Sequence, residues 1–182
     1  MNESIIFLVG TAFFVWVSRR SLLKPRSHGF YRFFAWECML ALVLVNFPMW
    51  SLNPFAPHQI ASWLLLMISL AMAIHAVILL REIGRPSDER GDSELLSFEK
   101  TSTLVTTGVY RYIRHPMYAA LLYLAWGAFL KDLSLPSIAL VSGASIALYL
   151  TALRDEAECS QYFGAAYAEY TKTSKRFVPF LF

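Results

Sequence analysis

Residues 104–122, LVTTGVYRYIRHPMYAALL, are the part of the sequence from which the fold can be worked out. The stretch opens with a turn signal at 106–108, passes through basic and aromatic residues at 110–115, and becomes apolar from Pro116 onward. Proline is favoured in the first turn of a helix, where its missing N–H is not needed. The pattern therefore predicts a buried helix that begins at Pro116 with a polar cluster at its N-terminal end.

The polar cluster that precedes this helix could bind both anionic and cationic groups. The unpaired N–H groups and the dipole of a helix N-terminus attract anions, and Arg114 and His115 add donors beside them. Tyr110, Tyr112 and Tyr118 offer aromatic faces that can hold a cation. We interpret this combination as a cofactor site.

The composition indicates a membrane protein. Of the 182 residues, 57% are hydrophobic and 16% are charged, whereas soluble domains have a charged share of about 25%. The net charge of +3 is small, and basic residues cluster beside apolar segments. The expected partner is therefore the membrane surface and not nucleic acid. Cys38 and Cys159 are far apart in the sequence and indicate neither a disulfide framework nor a metal site.

Apolar segments predict an all-α fold, a polytopic helical membrane protein with about five transmembrane helices in a single domain, 1–182. A membrane span needs roughly 20 mostly apolar residues, and the last two segments are near the lower limit. Small residues in those two segments allow a tight hairpin. The predicted spans are 5–18, 33–52, 59–80, 117–130 and 137–153.

The distribution of Lys and Arg predicts the orientation. All of these 16 residues except Lys131 lie in three segments, 19–32, 81–114 and 154–182. The positive-inside rule assigns such segments to the cytoplasm. We therefore expect an N-terminus outside, and a cytoplasmic C-terminal section of two helices separated by a break at Gly164.

Two charged clusters fall on the same cytoplasmic side in this topology. Because spans four and five form a hairpin, the carboxylates of Asp155 and Glu156 can approach Arg114 and His115. An amino-acid-like ligand would fit, with its carboxylate toward the basic residues, its ammonium toward the acids and a sulfonium against the tyrosine rings. A self-contained salt-bridge cluster at the helix ends explains the same residues equally well.

The longest polar segment, residues 81–106, precedes the cluster. A connection of this length is uncommon unless it is functional or disordered. Either a solvated loop or a lid over the polar cluster is consistent with its composition.

The order of motifs resembles a known family. LVTTGVYRYIRHPMY at 104–118 is followed about forty residues later by RDEAECSQYFGAAYAEY at 154–170, and then by RFVPF at 176–180. This arrangement resembles the isoprenylcysteine carboxyl methyltransferases and, more broadly, the membrane methyltransferases that include the phospholipid N-methyltransferases. The resemblance covers about residues 80–182.

The resemblance implies S-adenosylmethionine as the methyl donor, bound at the cytosolic membrane face. Asp155 stands where the family has the first Glu of an acidic pair, and Thr151 replaces an Arg that contacts substrate in the family. Arg154 could take the place of that Arg, so we expect Arg114 and Arg154 to contact and orient the acceptor. The implied cofactor contacts are Ser102, Thr103, Leu104, Val105, Tyr110, His115, Pro116, Met117, Tyr118, Asp155 and Glu156.

The expected function is an S-adenosylmethionine-dependent methyltransferase whose lipid-like or prenylated acceptor enters from the bilayer. A carboxylate acceptor is ionised at neutral pH and needs no base, and no well-placed base is evident, which favours O-methylation. Three alternatives remain: a phospholipid or small-amine N-methyltransferase, a sterol-type NADPH-dependent membrane reductase with a similar R-H-P-x-Y motif, and a non-catalytic membrane scaffold.

Overall fold

The structure, a computed structural model, describes residues 3–86, 96 and 99–180. Within these residues the chain forms α-helices, two short 3₁₀ turns and no β-strand, which confirms the all-α prediction. The helices are α1 (Glu3–Leu22), α2 (His28–Asn46), α3 (Pro57–Glu82), α4 (Pro116–Phe129), α5 (Leu135–Phe163) and α6 (Ala165–Thr173).

Four of these helices, α1, α2, α3 and α5, are long and apolar enough to cross a membrane. They confirm the polytopic helical membrane fold. Helix α4 has 14 residues, about 21 Å at 1.5 Å per residue, which is shorter than a hydrocarbon core of roughly 30 Å. That it crosses the membrane stays a prediction.

The predicted fifth span, 137–153, and the predicted helix that follows it form one continuous helix, α5. It has 29 residues and carries the charged run after Leu153 as further helical turns. The chain leaves the helical conformation at Gly164, whose φ of +56° suits a residue without a Cβ, and α6 begins at the next residue. The predicted break is therefore confirmed, and the acidic pair lies on a rigid helix.

The helices pack mainly as α2 against α5 and α3 against α4, and α4 also contacts α5 as the predicted hairpin requires. Small buried residues such as Ala35, Ala119 and Ala144 line these contacts, so the helix backbones can approach closely. Ser62 donates to the Gly127 carbonyl at 2.7 Å, and this bond ties α3 to α4 within the apolar layer.

The segment after α6 returns to the N-terminal end of α4. The backbone N–H of Arg114 donates to the Lys175 carbonyl at 2.7 Å, and that of His115 donates to the Arg176 carbonyl at 3.2 Å. Tyr170 Oη donates to the Tyr110 carbonyl at 2.5 Å. The backbone that leads into α4 is thus paired with the C-terminal segment.

Only part of the long polar segment lies within the described residues. Its first residues extend α3 to Glu82, and Ser102 and Thr103 both donate backbone N–H bonds to the Gly84 carbonyl. Residues 87–95 and 97–98, on which the lid prediction depends, lie outside the described residues.

Candidate functional site

A partly open cleft, with an enclosed volume of about 100 Å³, lies at the N-terminal end of α4. The start of α4, the charged part of α5 and the turn before α4 form its walls. Pro116 sets the start of the helix, and the preceding residue, His115 (φ −122°, ψ 60°), has a ring that faces Asp155 of α5. Predicted site residues that line the cleft are Leu104, Val105, Tyr110, Arg114, His115, Pro116, Met117, Tyr118 and Asp155.

The other predicted site residues lie elsewhere. Ser102 and Thr103 are exposed, and Ser102 Oγ donates to the Arg85 carbonyl at 2.8 Å. Arg154 is exposed, with its guanidinium carbon 5.9 Å from the centre of the Tyr31 ring. Glu156 lies behind the cleft wall and is bonded to cationic side chains.

His115 lies between two carboxylates. Its Nδ1 is 3.3 Å from Asp155 Oδ2, its Nε2 is 3.4 Å from Glu156 Oε1, and its ring stacks on Tyr118 with 5.4 Å between centroids. Burial would lower the pKa of His115, but the hydrogen bonds to Asp155 and Glu156 outweigh burial and raise it. The two carboxylates therefore favour the protonated form of the ring.

The two acids have different surroundings. Glu156 accepts from Arg114 Nε at 3.0 Å and from Arg176 Nη2 at 2.8 Å, and Arg114 also donates to the Ser174 carbonyl. Asp155 lines the cleft and has His115 as its one cationic partner within bonding distance among the described residues. Asp155 is therefore the acid that is available to a ligand ammonium.

Sequence reasoning missed several lining residues of the cleft. Tyr167 and Tyr170 fall in the F-G-x-x-Y-x-x-Y motif, so the motif was a signal that could have found them. Nothing in the sequence pattern distinguishes His28 or Glu99, which reach the cleft from α2 and from the polar segment. The missed lining residues are His28, Leu80, Glu99, Thr101, Cys159, Phe163, Tyr167 and Tyr170.

Neutral phenols form the remaining polar wall. Burial raises the pKa of Tyr167 and of Tyr170. Tyr170 is bonded to the Tyr110 carbonyl, whereas the buried Oη of Tyr167 has no hydrogen-bond partner within the described ranges. An unpaired buried hydroxyl beside a cleft is a donor for a bound molecule.

A second charged cluster adjoins the cleft. His28 Nδ1 is 2.6 Å from Glu158 Oε2, and Arg32 Nη1 donates to Glu99 Oε1 at 2.5 Å. Burial would raise the pKa of Glu99, but the charge of Arg32 and a hydrogen bond to His28 lower it to about 2. His28, Asp155 and Glu158 could present ligand atoms to a metal within 4.8 Å of one another. Because His28 and Glu158 are joined by a short hydrogen bond, we interpret these three residues as an ion-pair cluster and not as a metal site.

A second cavity, of about 450 Å³, lies between α2, α3 and α4. Its walls are mostly tryptophan and leucine side chains, among them Trp36, Trp63 and Leu124. Such a volume is typical of small-molecule sites, which enclose roughly 300–1,000 Å³. The residues that line both this cavity and the cleft are Glu99, Met117 and Tyr118.

Residues 58–166 match the model of a protein family described as phospholipid methyltransferase. The chain is also similar to protein-S-isoprenylcysteine O-methyltransferase A of Arabidopsis thaliana, with 32% identity over 89 residues. That alignment covers 47% of this chain and 44% of the plant protein, so less than half of the relative's length is matched. No solved structure matches the chain.

Proposed function

The chain belongs to the phospholipid methyltransferase family, and from that premise we propose that it is an S-adenosylmethionine-dependent methyltransferase of the membrane interface. The observation that carries the proposal is the cleft before α4, where cationic, anionic and aromatic side chains converge. The match of the family model across nearly all of α3 and the whole of α4 and α5 argues against a sterol-type reductase and against a scaffold.

The side chains of the cleft fit S-adenosylmethionine. Asp155 suits its ammonium, His115 suits its carboxylate, and the rings of Tyr110 and Tyr118 suit its sulfonium. The buried, unpartnered oxygen of Tyr167 supplies a further donor. When bound, the cofactor supplies a methyl group that its sulfonium has already activated.

The protein's part in the reaction is to position the acceptor and exclude water. Aligning two reactants can lower a barrier by several kcal/mol, up to about 7–11. Met117 and Tyr118 lie where the cleft and the apolar cavity meet, so they are placed to orient an acceptor toward the cofactor. We assign the apolar cavity to the lipid-like or prenylated portion of the acceptor.

A carboxylate is the acceptor group that these surroundings favour. An amine acceptor must lose a proton before it can attack, which needs a base. The carboxylate at the junction, Glu99, accepts from Arg32, and its pKa of about 2 makes it a weak base. An acceptor that is already ionised needs no such base, which favours O-methylation over N-methylation.

Calorimetry on the detergent-purified protein tests the proposal with S-adenosylhomocysteine and NADP as separate ligands. We expect S-adenosylhomocysteine to bind and NADP not to. Asp155→Asn should weaken binding more than tenfold, because a lost charge-assisted hydrogen bond costs about 1.5–3 kcal/mol. Glu169→Gln, which neutralises an exposed acid on α6 outside the cleft, is the control. Binding of NADP alone would favour a reductase, and binding of neither ligand would favour a scaffold.

A further inference from the structure

We propose that Arg32 anchors the anionic group of the acceptor at the inner end of the apolar cavity, and so selects carboxylates or phosphates that carry an apolar chain. That the bound anion is a methyl acceptor rests on the proposed function, whereas the anion site itself is argued from the contacts of Arg32. Arg32 was not among the residues that the sequence or the resemblance indicated.

The apolar cavity has a polar end and an apolar end. Arg32, Glu99 and Met117 line it at the end next to the cleft, and Trp50 and Trp63 line it at the other end. Two hydrogen bonds between α3 and α4 show which end of the cavity is next to the cleft. Ser69 bonds to the Ala120 carbonyl nearer the cleft, and Ser62 bonds to the Gly127 carbonyl farther from it. Trp63 and Ala73 on α3 are about 15 Å apart along the helix axis. An extended hydrocarbon chain fits that length.

At the polar end of the cavity, Arg32 has more N–H donors than its contact with Glu99 uses. Its side chain is 3% exposed, and its guanidinium carbon lies 4.9 Å from the centre of the Trp36 ring. Nη1 donates to Glu99, but the buried Nε has no hydrogen-bond partner in the part of the chain that the structure describes. Arginine carries five N–H donors, so this side chain can bind a second anion in addition to Glu99.

The acceptor oxygens of Glu99 are already used. Oε1 accepts from Arg32, and Oε2 accepts from the backbone N–H of Leu96 at 2.9 Å. Both oxygens of Glu99 thus have a donor, whereas Arg32 Nε has no partner among the described residues, so this ion pair offers donors, which suit a carboxylate or phosphate rather than an ammonium.

The other arginines near the cleft are less suitable. Arg114 is bonded to Glu156 and to the Ser174 carbonyl, and Arg154 is exposed beside Tyr31. Arg32 is the arginine that lines the apolar cavity. A chain in the cavity and its anion on Arg32 would place the head group beside Tyr118, at the junction with the cleft.

Binding of matched charged and uncharged probes tests the anion site. The first pair is S-farnesyl-N-acetylcysteine and its methyl ester; the second is farnesyl phosphate and farnesol. In non-ionic detergent we expect each anion to bind at least tenfold more tightly than its neutral partner. The tighter of the two anions identifies carboxylate or phosphate as the preferred group. Equal binding of charged and neutral probes by the wild type overturns the proposal.

Neutralising each partner of the Arg32–Glu99 ion pair in turn shows whether Arg32 binds the anion or only stabilises the fold. Arg32→Gln should abolish the preference for the anion, and Glu99→Gln should strengthen anion binding because it frees the guanidinium. Arg20→Gln, at an exposed position on α1 outside both cavities, should match the wild type. A preference that survives Arg32→Gln, or anion binding weakened by Glu99→Gln, overturns the proposal. The second result decides the matter even if Arg32→Gln does not fold.

S-Adenosylhomocysteine affinity is measured on the same samples. Arg32→Gln should leave it within twofold of the wild type, because Arg32 does not line the cleft. Failure of the wild type to bind S-adenosylhomocysteine would contradict the methyltransferase proposal alone. A tenfold loss in Arg32→Gln would instead make Arg32 part of the cofactor site and overturn its role as an anchor for the acceptor.

Discussion

Arg176 donates to both carboxylate oxygens of Glu156, from Nε to Oε1 at 3.0 Å and from Nη2 to Oε2 at 2.8 Å. Bidentate pairs of this kind are among the stronger hydrogen bonds in proteins. The pair fastens the segment after α6 to α5, while the same segment pairs with the backbone of Arg114 and His115. Glu156 is therefore a structural centre behind the cleft, and Asp155 is its ligand-facing neighbour.

The two acids should respond differently to neutralisation. Glu156→Gln leaves Arg114 and Arg176 without their carboxylate, so we expect a loss of about 1–3 kcal/mol in stability. Asp155→Asn should change stability less and weaken S-adenosylhomocysteine binding more than tenfold. Thermal unfolding in detergent and calorimetry measure the two effects. Equal changes in both quantities for the two variants would contradict the division of roles.

His115 should make stability depend on pH. The side chains that face it are Asp155 and Glu156 from α5, Tyr118 from α4 and Phe177 from the C-terminal segment. Its pKa is raised on folding. Its stabilising contribution is therefore complete below the unfolded pKa of about 6.5 and is lost as the pH rises through the higher folded value.

Melting temperatures measured from pH 6 upward test this contribution. The wild type should lose stability as the pH rises, and His115→Gln should show a shallower dependence because glutamine does not titrate. His58→Gln, exposed at the other end of α3, is the matched control and should follow the wild type. Parallel curves for the wild type and His115→Gln would show that the ring is neutral.

Two glycines allow backbone strain to be separated from steric overlap. Gly108 and Gly164 have φ values of +59° and +56°, and a residue with a Cβ in such sparsely populated conformations costs about 1–3 kcal/mol. A Cβ on Gly108 would also lie 2.6 Å from Leu79 Cδ1, whereas one on Gly164 would meet nothing within 4 Å. Gly108→Ala should therefore lower the melting temperature more than Gly164→Ala. The reverse order would mean that the turn before α4 can shift without loss.

Local sequence signals predicted the elements that hold the site. Pro116 marked the start of α4, and Gly164 marked the end of α5, because both residues restrict or permit specific backbone conformations. Hydrophobic composition gave the spans, but not the end of α5. The charged residues after Leu153 continue its helical turns, and burial of His115 against Asp155 supports that extension.

Contacts between distant segments could not be predicted in the same way. Arg32 and Glu99 are 67 positions apart, and neither hydrophobic periodicity nor a motif links them. The pairing of Arg114 with Lys175 likewise depends on how the C-terminal segment returns. The sequence therefore indicated more of the residues that line the cleft than of those that line the apolar cavity.

Orientation in the membrane stays a prediction from the Lys and Arg distribution. Phe55, in the turn between α2 and α3, is 88% exposed, and Lys172 in α6 has a side chain that is 69% exposed. In a background with Cys38 and Cys159 replaced by serine, we expect an impermeant thiol reagent to label Phe55→Cys in intact cells. Lys172→Cys should be labelled only after the cells are permeabilised. Labelling of both in intact cells would contradict the predicted topology.

Arg114 and Arg154 give the last test, because the sequence assigned both to the acceptor. Arg114 bonds to Glu156 and the Ser174 carbonyl through different nitrogens, and a lysine cannot keep that fork. We expect Arg114→Lys to lower the rate of methyl transfer to S-farnesyl-N-acetylcysteine and the melting temperature together.

Arg154 points away from the cleft toward Tyr31, so we expect Arg154→Lys to keep a transfer rate within twofold of the wild type. Cofactor affinity is measured on both variants. A lower rate with weaker cofactor binding indicates a damaged cofactor site, whereas a lower rate at unchanged cofactor affinity indicates a misplaced acceptor. A large fall in rate for Arg154→Lys at unchanged cofactor affinity would show that Arg154 contacts the acceptor, as its position in the sequence suggested. In that case the side chain of Arg154 would have to move from Tyr31 toward the cleft when the acceptor binds.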